Sequence, residues 1–488
     1  MKKKITALTL LLAMALSMAS CGGGNGGTNN DTTTSAGGDT TTSAPEDTSP
    51  KLDLPDTDFG GAEFTILSSD INSYEYDAEE QTGDIVEDSI YKRNRTVEDL
   101  LGVNFNIISQ PGDWSARDTF NGLIKNSVLA GDGEYDLISG VAVIVMQLST
   151  EGYFVNANSL KYIDFDNPWW VQGMNDNLAI DGKLYGFIGD ASLSLYKDLS
   201  VIYFNKKILA DYNLENPYQY VYDDNWNIDT FGGMLKGVST DLNSDGKLTW
   251  GEDMVGFMGN AVPNRAFMTA TEISFLTYEG GVPKFGDLSE RSVNVYEKLR
   301  KVFRENDNVL TNPKDEYDIA TQYFTEDKAL FMDAFLKYAD NMRNMTSDFG
   351  ILPYPKADNT QEKYHTQIGT STSTFFVPIT AKDRDMTAMV CEALSYYSMK
   401  DVTPNYYEVA LKEKYTRDED VKSILEIVRD GAQMDFTFAY STLFEPFTNC
   451  LTEFRASPDV NITTYYAKHQ SSWQTTLEKI TEKYSALD

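Results

Sequence analysis

Glu63-Phe64-Thr65-Ile66-Leu67, the segment Ile90 to Leu101 with Gly102 behind it, Val103-Asn104-Phe105-Asn106-Ile107 and Tyr135-Asp136-Leu137-Ile138 together decide the fold of this 488-residue chain. The first, third and fourth stretches carry the short alternating or continuous apolar runs of strands. Ile90 to Leu101 repeats apolar residues at the three-and-four spacing of a helix and stops at a glycine. A second helix is expected around Phe120 to Leu129. Strand, helix and strand in repetition imply a parallel sheet with helices on its faces. Ligands of such sheets gather beyond the carboxyl ends of the strands. That rule selects Ser69 and Asp70 after the first strand and Val141 after the third.

Upstream, Lys2 to Lys4, the apolar run Ile5 to Met18 and Ala19-Ser20-Cys21 read as a lipoprotein signal peptide over residues 1–21. A run of about 14 apolar residues is too short for a stable span, and small residues precede a cysteine placed for lipidation. An ordinary secretory signal with an incidental cysteine is the alternative. Residues 22–55 are Gly, Ser, Thr, Asn and Asp with almost nothing to bury, so a disordered linker is expected, with a reach of roughly 30 Å. The remainder would then work outside the cytoplasm, anchored to the cell membrane by a lipid on Cys21.

That remainder, about 430 residues, exceeds what one hydrophobic core usually supports, so two lobes are expected. Lys and Arg number 41 against 74 Asp and Glu, for a net charge of −33, which argues against nucleic acid and against an anionic bulk ligand. With only two histidines, a His-rich zinc site and most Ser-His or Cys-His catalytic arrangements lack parts. Carboxylate pairs are too abundant in this chain to point to a glycosidase. Cys391 lies in the apolar helical stripe Met386 to Leu394 and reads as a buried thiol, a Cys391–Cys450 bridge being the alternative. Further helices are expected over Val295 to Phe303, Ala329 to Met342, Met386 to Tyr397 and Val421 to Val428. Further strands are expected over Val201 to Phe204, Phe349 to Leu352 and Thr374 to Val377.

Asp241-Leu-Asn243-Ser-Asp245-Gly246-Lys247-Leu-Thr249-Trp-Gly-Glu252 fits the twelve-residue calcium loop. Oxygen side chains stand at positions one, three, five, nine and twelve, glycine at six makes the turn, and Lys247 at seven need offer only its carbonyl. A structural Ca2+ is expected there, against the alternative of a solvated acidic turn.

Several landmarks occur in order: Asp181-Gly-Lys-Leu-Tyr-Gly186; Val201-Ile-Tyr-Phe-Asn-Lys-Lys-Ile-Leu209; Asn213-Leu-Glu-Asn-Pro217; Trp226; Phe324-Thr-Glu-Asp-Lys-Ala-Leu-Phe-Met332; and Phe349-Gly-Ile-Leu-Pro-Tyr-Pro355. On these the chain resembles the extracellular solute-binding proteins of ABC importers, in the group that includes maltodextrin-binding proteins. Asp88 to Arg95 and Pro168-Trp169-Trp170 resemble a clostridial-type branch of it. The resemblance implies an α/β, periplasmic-binding-protein-like fold with two lobes, a hinge and an interlobe ligand cleft. Lobe 1 would hold residues 56–165 with about 366–410, and lobe 2 residues 166–365 with about 411–488.

It further implies a monomeric receptor, not an enzyme, that closes on a neutral solute such as an oligosaccharide and delivers it to ABC permease subunits. A surface glycoside hydrolase and a polymer-binding module without a transporter are the alternatives. By the same resemblance Asp198 contacts ligand shortly before the Tyr203-Phe204-Asn205-Lys206 strand, with Asp190 the competing position. Phe335 stands where relatives often carry an aromatic, and Thr370 and Ser371 where small residues reach the cleft. Trp169 and Trp170 could stack on sugar faces or pack in the core.

Overall fold

The computed structural model describes residues 50–259, 263–311, 317–407, 420–444 and 461–487. Residues 1–21 with Cys21, most of the linker, and Cys450 lie outside the described residues.

Strands β1 (Ala62–Ser69), β2 (Val103–Gln110) and β3 (Leu137–Val141) form the parallel core of the first sheet. Ala62 to Ser69 pair in unbroken register with Val103 to Gln110, and Ile66 to Ser68 pair with Leu137 to Ser139. Phe64, Ile66 and Leu67 are all fully buried, so both faces of β1 are covered, as helices on either side require. The helix Ile85–Leu101 starts where the Asp84 side chain accepts from the Val86 and Glu87 amides at 2.8 and 3.0 Å. It stops at Gly102 with φ +63°, where a Cβ would stand 1.9 Å from the Asp58 carboxylate.

The second sheet runs β11-β4-β10-β6-β5, with a sixth strand, β9, beside β6. These strands are β4 (Ser200–Asn205), β5 (Ser239–Thr240), β6 (Met254–Gly259), β9 (Val309–Thr311), β10 (Ala329–Phe335) and β11 (Phe349–Leu352); a separate hairpin joins β7 (Leu276–Glu279) to β8 (Val282–Phe285). β10 corrects the helix expected over Ala329 to Met342. Ala329-Leu330-Phe331-Met332 is buried on both faces, between antiparallel β4 and parallel β6. A doubly buried strand carries a continuous apolar run that periodicity alone does not separate from a buried helix. Only Leu336–Met342 is helical, as a 3₁₀ segment.

The chain returns through β12 (Thr366–Gln367) and β13 (Ser373–Phe376), and later supplies β14 (Ala432–Gln433) as the partner of β12. β13 adds antiparallel to β3, completing the order β13-β3-β1-β2. Helix Arg384–Tyr397 packs against Ile85–Leu101, and its Cys391 is a fully buried free thiol whose pKa burial pushes well up.

Segment 166–198 packs with the first sheet, not the second. Phe187 and Phe375 exchange backbone hydrogen bonds of 3.1 and 2.9 Å, and Trp169 and Trp170 both donate to Glu392 on Arg384–Tyr397. The passage expected at 165–166 therefore falls where Leu199 bridges Ile368 and the Gly369 amide donates to the Asp198 carbonyl at 2.8 Å. The final helix, Ile462–Ser485, was expected wholly in the second lobe. It instead touches both: the Gln474 side chain accepts from the Phe285 amide at 3.0 Å, and Lys483 pairs with Glu151 at 2.8 Å.

Candidate functional site

The sheet-end rule places the site at the carboxyl edge of β1, β2 and β3. There the structure opens a cleft of about 840 Å³, within the range of small-molecule sites. Ile71, Asn72 and Tyr74 reach it from the 3₁₀ turn Asp70–Glu75 after β1. Asp113, Trp114 and Arg117 come from the loop and helix start after β2, and Val141, Val143 and Ile144 from the end of β3. Thr370 and Ser371 come from the turn before β13, tied across by the Asn72 side-chain amide, which donates to the Ser371 carbonyl at 2.5 Å.

The opposing wall holds Lys337, just past β10, together with Arg265 and Phe438. Ser194, Lys197 and Asp198 stand beside the passage between the two sheets, at and just beyond helix Leu193–Lys197. Arg265 and Phe438 also line a neighbouring cavity of about 220 Å³, and the guanidinium lies 4.3 Å over the Phe438 ring.

Of the expected ligand residues, Val141, Asp198, Thr370 and Ser371 meet in this one cleft. Asp198 is buried and pairs with Lys337 at 2.8 Å; burial raises its pKa while Lys337 opposes the shift. Ser69 and Asp70 fall just short: Ser69 is buried, and Asp70 accepts from the Gly112 amide at 3.2 Å, tying the ends of β1 and β2. Phe335 lies behind Gly369, its ring 3.1 Å from where a Cβ on that glycine would stand and tilted against Tyr317, with centroids 5.2 Å apart.

Trp169 and Trp170 are corrected outright. They are 0% and 3% exposed, and both indole N–H groups donate to the Glu392 carboxylate, at 3.1 and 2.8 Å. Neither has a free face, so both are core residues. Asp190 is likewise buried away from the cleft, accepting from Tyr196 at 2.5 Å and Arg429 at 3.2 Å, and burial pushes its pKa up to about 6.

Of the aromatics lining the cleft, Tyr74, Trp114 and Phe438, Trp114 is the most exposed, at 54%, with the Arg117 guanidinium 4.7 Å over its ring. It was not singled out from sequence, although it stands four residues past a strand end, where the sheet rule points. Asp113 shapes this loop by accepting from the Ser115 hydroxyl at 2.7 Å and the Ala116 amide at 2.9 Å, and these bonds hold its carboxyl below the usual range.

The calcium-type loop lies apart from the cleft. Gly246 at position six has φ +81°. Asp241 accepts from the Ser244 and Gly246 amides at 2.6 and 2.8 Å, Asp245 accepts from Lys247 at 2.9 Å, and Asn243 donates to Glu252 at 3.1 Å. The donor set and the turn fit the ion in kind. Among the described residues no three His, Cys, Asp or Glu side chains already converge on one point.

No family model and no curated protein matches the chain. Solved structures do. The GacH receptor of Streptomyces glaucescens GLA.O, studied unliganded and with acarbose, aligns over 86% of this chain and 99% of its own, at TM-score 0.53 and 12% identity. The chain thus has a periplasmic-binding-protein-like α/β fold.

A second example of it is an ABC transporter solute-binding protein of Agrobacterium radiobacter K84 in complex with ribitol, which matches at TM-score 0.51 and 12% identity over 86% of this chain and all of its own. An ABC substrate-binding protein of Listeria monocytogenes with cycloalternan matches at 0.50 and 12% over 88% and 100%. At such identities the solute-binding-protein likeness concerns the fold.

Placing the tryptophans in the core has a measurable consequence. Trp170→Phe removes a hydrogen bond to a buried carboxylate and should cost about 1–3 kcal/mol in urea unfolding. Burial pushes the Glu392 carboxyl up to about 7. The stability it contributes is therefore complete below the ordinary carboxylate pKa of about 4.3 and is lost as pH rises through about 7. Glu392→Gln should flatten that decline, and an unchanged slope would contradict the assignment.

Proposed function

We propose that this chain is a lipid-anchored solute-binding receptor of an ABC transporter, and that it captures an oligosaccharide and hands it to the permease. The observation that carries this is the cleft: its walls come from both sheets, and the two passages Asp198-Leu199 and Ile368-Gly369 run side by side beside it. Paired crossing segments are a natural hinge, so ligand contacts on both walls would favour a closed form over an open one. Trp114 supplies an exposed indole for a sugar ring. Asn72, Ser194, Thr370 and Ser371 supply the amide and hydroxyl groups that orient hydroxyls. The structural neighbours were solved with acarbose, ribitol and cycloalternan, which supports a polyhydroxylated ligand.

Binding without bond cleavage is the discriminating property. A saccharide that raises the melting temperature should be recovered chemically intact after denaturation, whereas a hydrolysed product would favour a glycosidase. Trp114→Ala should weaken its binding by about 1–2 kcal/mol and leave the free protein's melting temperature unchanged.

The anchor belongs to the same proposal. Cys21→Ser leaves the leash and removes the sulfur that accepts the lipid, so the protein should move from the membrane fraction to the soluble one. Retention at wild-type levels would contradict it.

Calcium is proposed at Asp241, Asn243, Asp245, the Lys247 carbonyl, Thr249 and Glu252, as a brace for the loop entering β6. Chelation should lower the melting temperature of the purified protein, and Asp241→Ala should abolish that response. Superimposed melting curves with and without chelator would remove the ion from the scheme.

A further inference from the structure

The total charge of −33 suggests a ligand that is not anionic, but the cleft does not share that balance. Its charged lining is Arg117, Lys197, Arg265 and Lys337 against Asp113 and Asp198, four cations to two carboxylates in a chain where acids outnumber bases. Lys337 and Asp198 neutralise each other at 2.8 Å. Asp113 is held by the Ser115 and Ala116 hydrogen bonds, which keep it ionised, so it offsets one of these cations. Arg265 lies 4.3 Å over the Phe438 ring, and its charge opposes the rise that burial gives the Asp435 carboxyl.

Lys197 remains, half-buried, its ammonium 3.9 Å over the Tyr74 ring and without an ion pair among the described residues. The acids acting on Lys197 are Glu75, Asp198 and, more weakly, Asp84: Glu75 also faces Arg93, and burial pushes its carboxyl up to about 7, while Asp198 is paired with Lys337. Desolvation lowers the pKa of Lys197, so its charge is held at a cost that a bound anion would offset. Arg117 stands over the exposed indole and donates to the Trp114 carbonyl at 2.8 Å; among the described residues its one carboxylate contact is the outward Asp118, at 3.9 Å.

A sugar on Trp114 thus meets one cation at the lip and another deeper in the cleft. We infer that the solute is an acidic saccharide, whose carboxylate or sulfate groups are read by Lys197 and Arg117. This rests on the carbohydrate receptor proposed above and replaces the neutral solute that the resemblance implies.

Thermal-shift and calorimetric titration of the full chain would use galacturonate, glucuronate and mannuronate oligosaccharides, with their methyl esters as neutral isosteres. Sulfated galacto-oligosaccharides supply the second source of anion, and malto-, xylo- and galacto-oligosaccharides the neutral set. An acidic member should bind at least about tenfold more tightly than its neutral isostere, and its affinity should fall as NaCl rises from about 50 to about 500 mM. Lys197→Met, which keeps the stem on Tyr74, should cost the acidic ligand roughly tenfold more than it costs the neutral isostere. Should the buried change impair folding, Arg117→Gln, on an exposed helix start, is read by the same ratio of acidic to neutral affinity, which should fall.

Preference for uronates or for sulfated sugars identifies the anion. Binding confined to neutral members, or equal binding of acid and ester, overturns the charge inference and leaves the carbohydrate receptor standing. Failure of every saccharide overturns both.

Discussion

Two short backbone segments, Asp198-Leu199 and Ile368-Gly369, lie against each other where the chain leaves and re-enters the first sheet, and the arrangement of the cleft depends on that contact. The Gly369 amide donates to the Asp198 carbonyl at 2.8 Å, and Leu336 donates to the Leu199 carbonyl at 2.9 Å. Close approach of this kind needs a residue without a side chain: a Cβ on Gly369 would lie 3.0 Å from the Asp198 Cβ and 3.1 Å from the Phe335 ring. Asp198 can then present its carboxylate to Lys337 on one side while its carbonyl holds Gly369, so one residue is both part of the passage and part of the wall. Thr370 and Ser371, directly beyond Gly369, are delivered to the cleft by the same contact.

The first sheet was legible because each of its elements satisfies a local rule. Glu63 to Leu67 and Val103 to Ile107 lie inside β1 and β2, and Gly102 closes the intervening helix as its position suggests. Phe349 to Leu352 coincides with β11. Ala329 to Phe335 was not legible, because burial on both faces erases the alternation that distinguishes a strand from a buried helix. The passage between lobes was displaced for a related reason. Nothing local in 166–198 shows that Trp169 and Trp170 will share a carboxylate more than two hundred residues away, and that tertiary contact assigns the segment to the first sheet.

The candidate site was legible in position more than in chemistry. The ends of the strands and the turn before β13 were found from topology and resemblance, and they do meet in one cleft. The aromatic was misassigned because a tryptophan pair beside Asp and Asn looks like a sugar platform, while a lone tryptophan in a Gly-Asp-Trp turn does not. Burial separates them: Glu392 satisfies both indole N–H groups of the pair, and Trp114 keeps its faces toward solvent and Arg117. Total charge is a sum over 488 residues and does not describe the few that line a cleft.

Small-angle X-ray scattering tests the hinged receptor most directly, with the purified protein measured alone and with saturating amounts of whichever saccharide most raises its melting temperature. Closure of the two walls on that saccharide should reduce the radius of gyration and the maximum dimension, and Trp114→Ala at the same ligand concentration should reduce the change. Scattering curves that superimpose at demonstrated saturation would contradict closure of the two lobes on a ligand held between them.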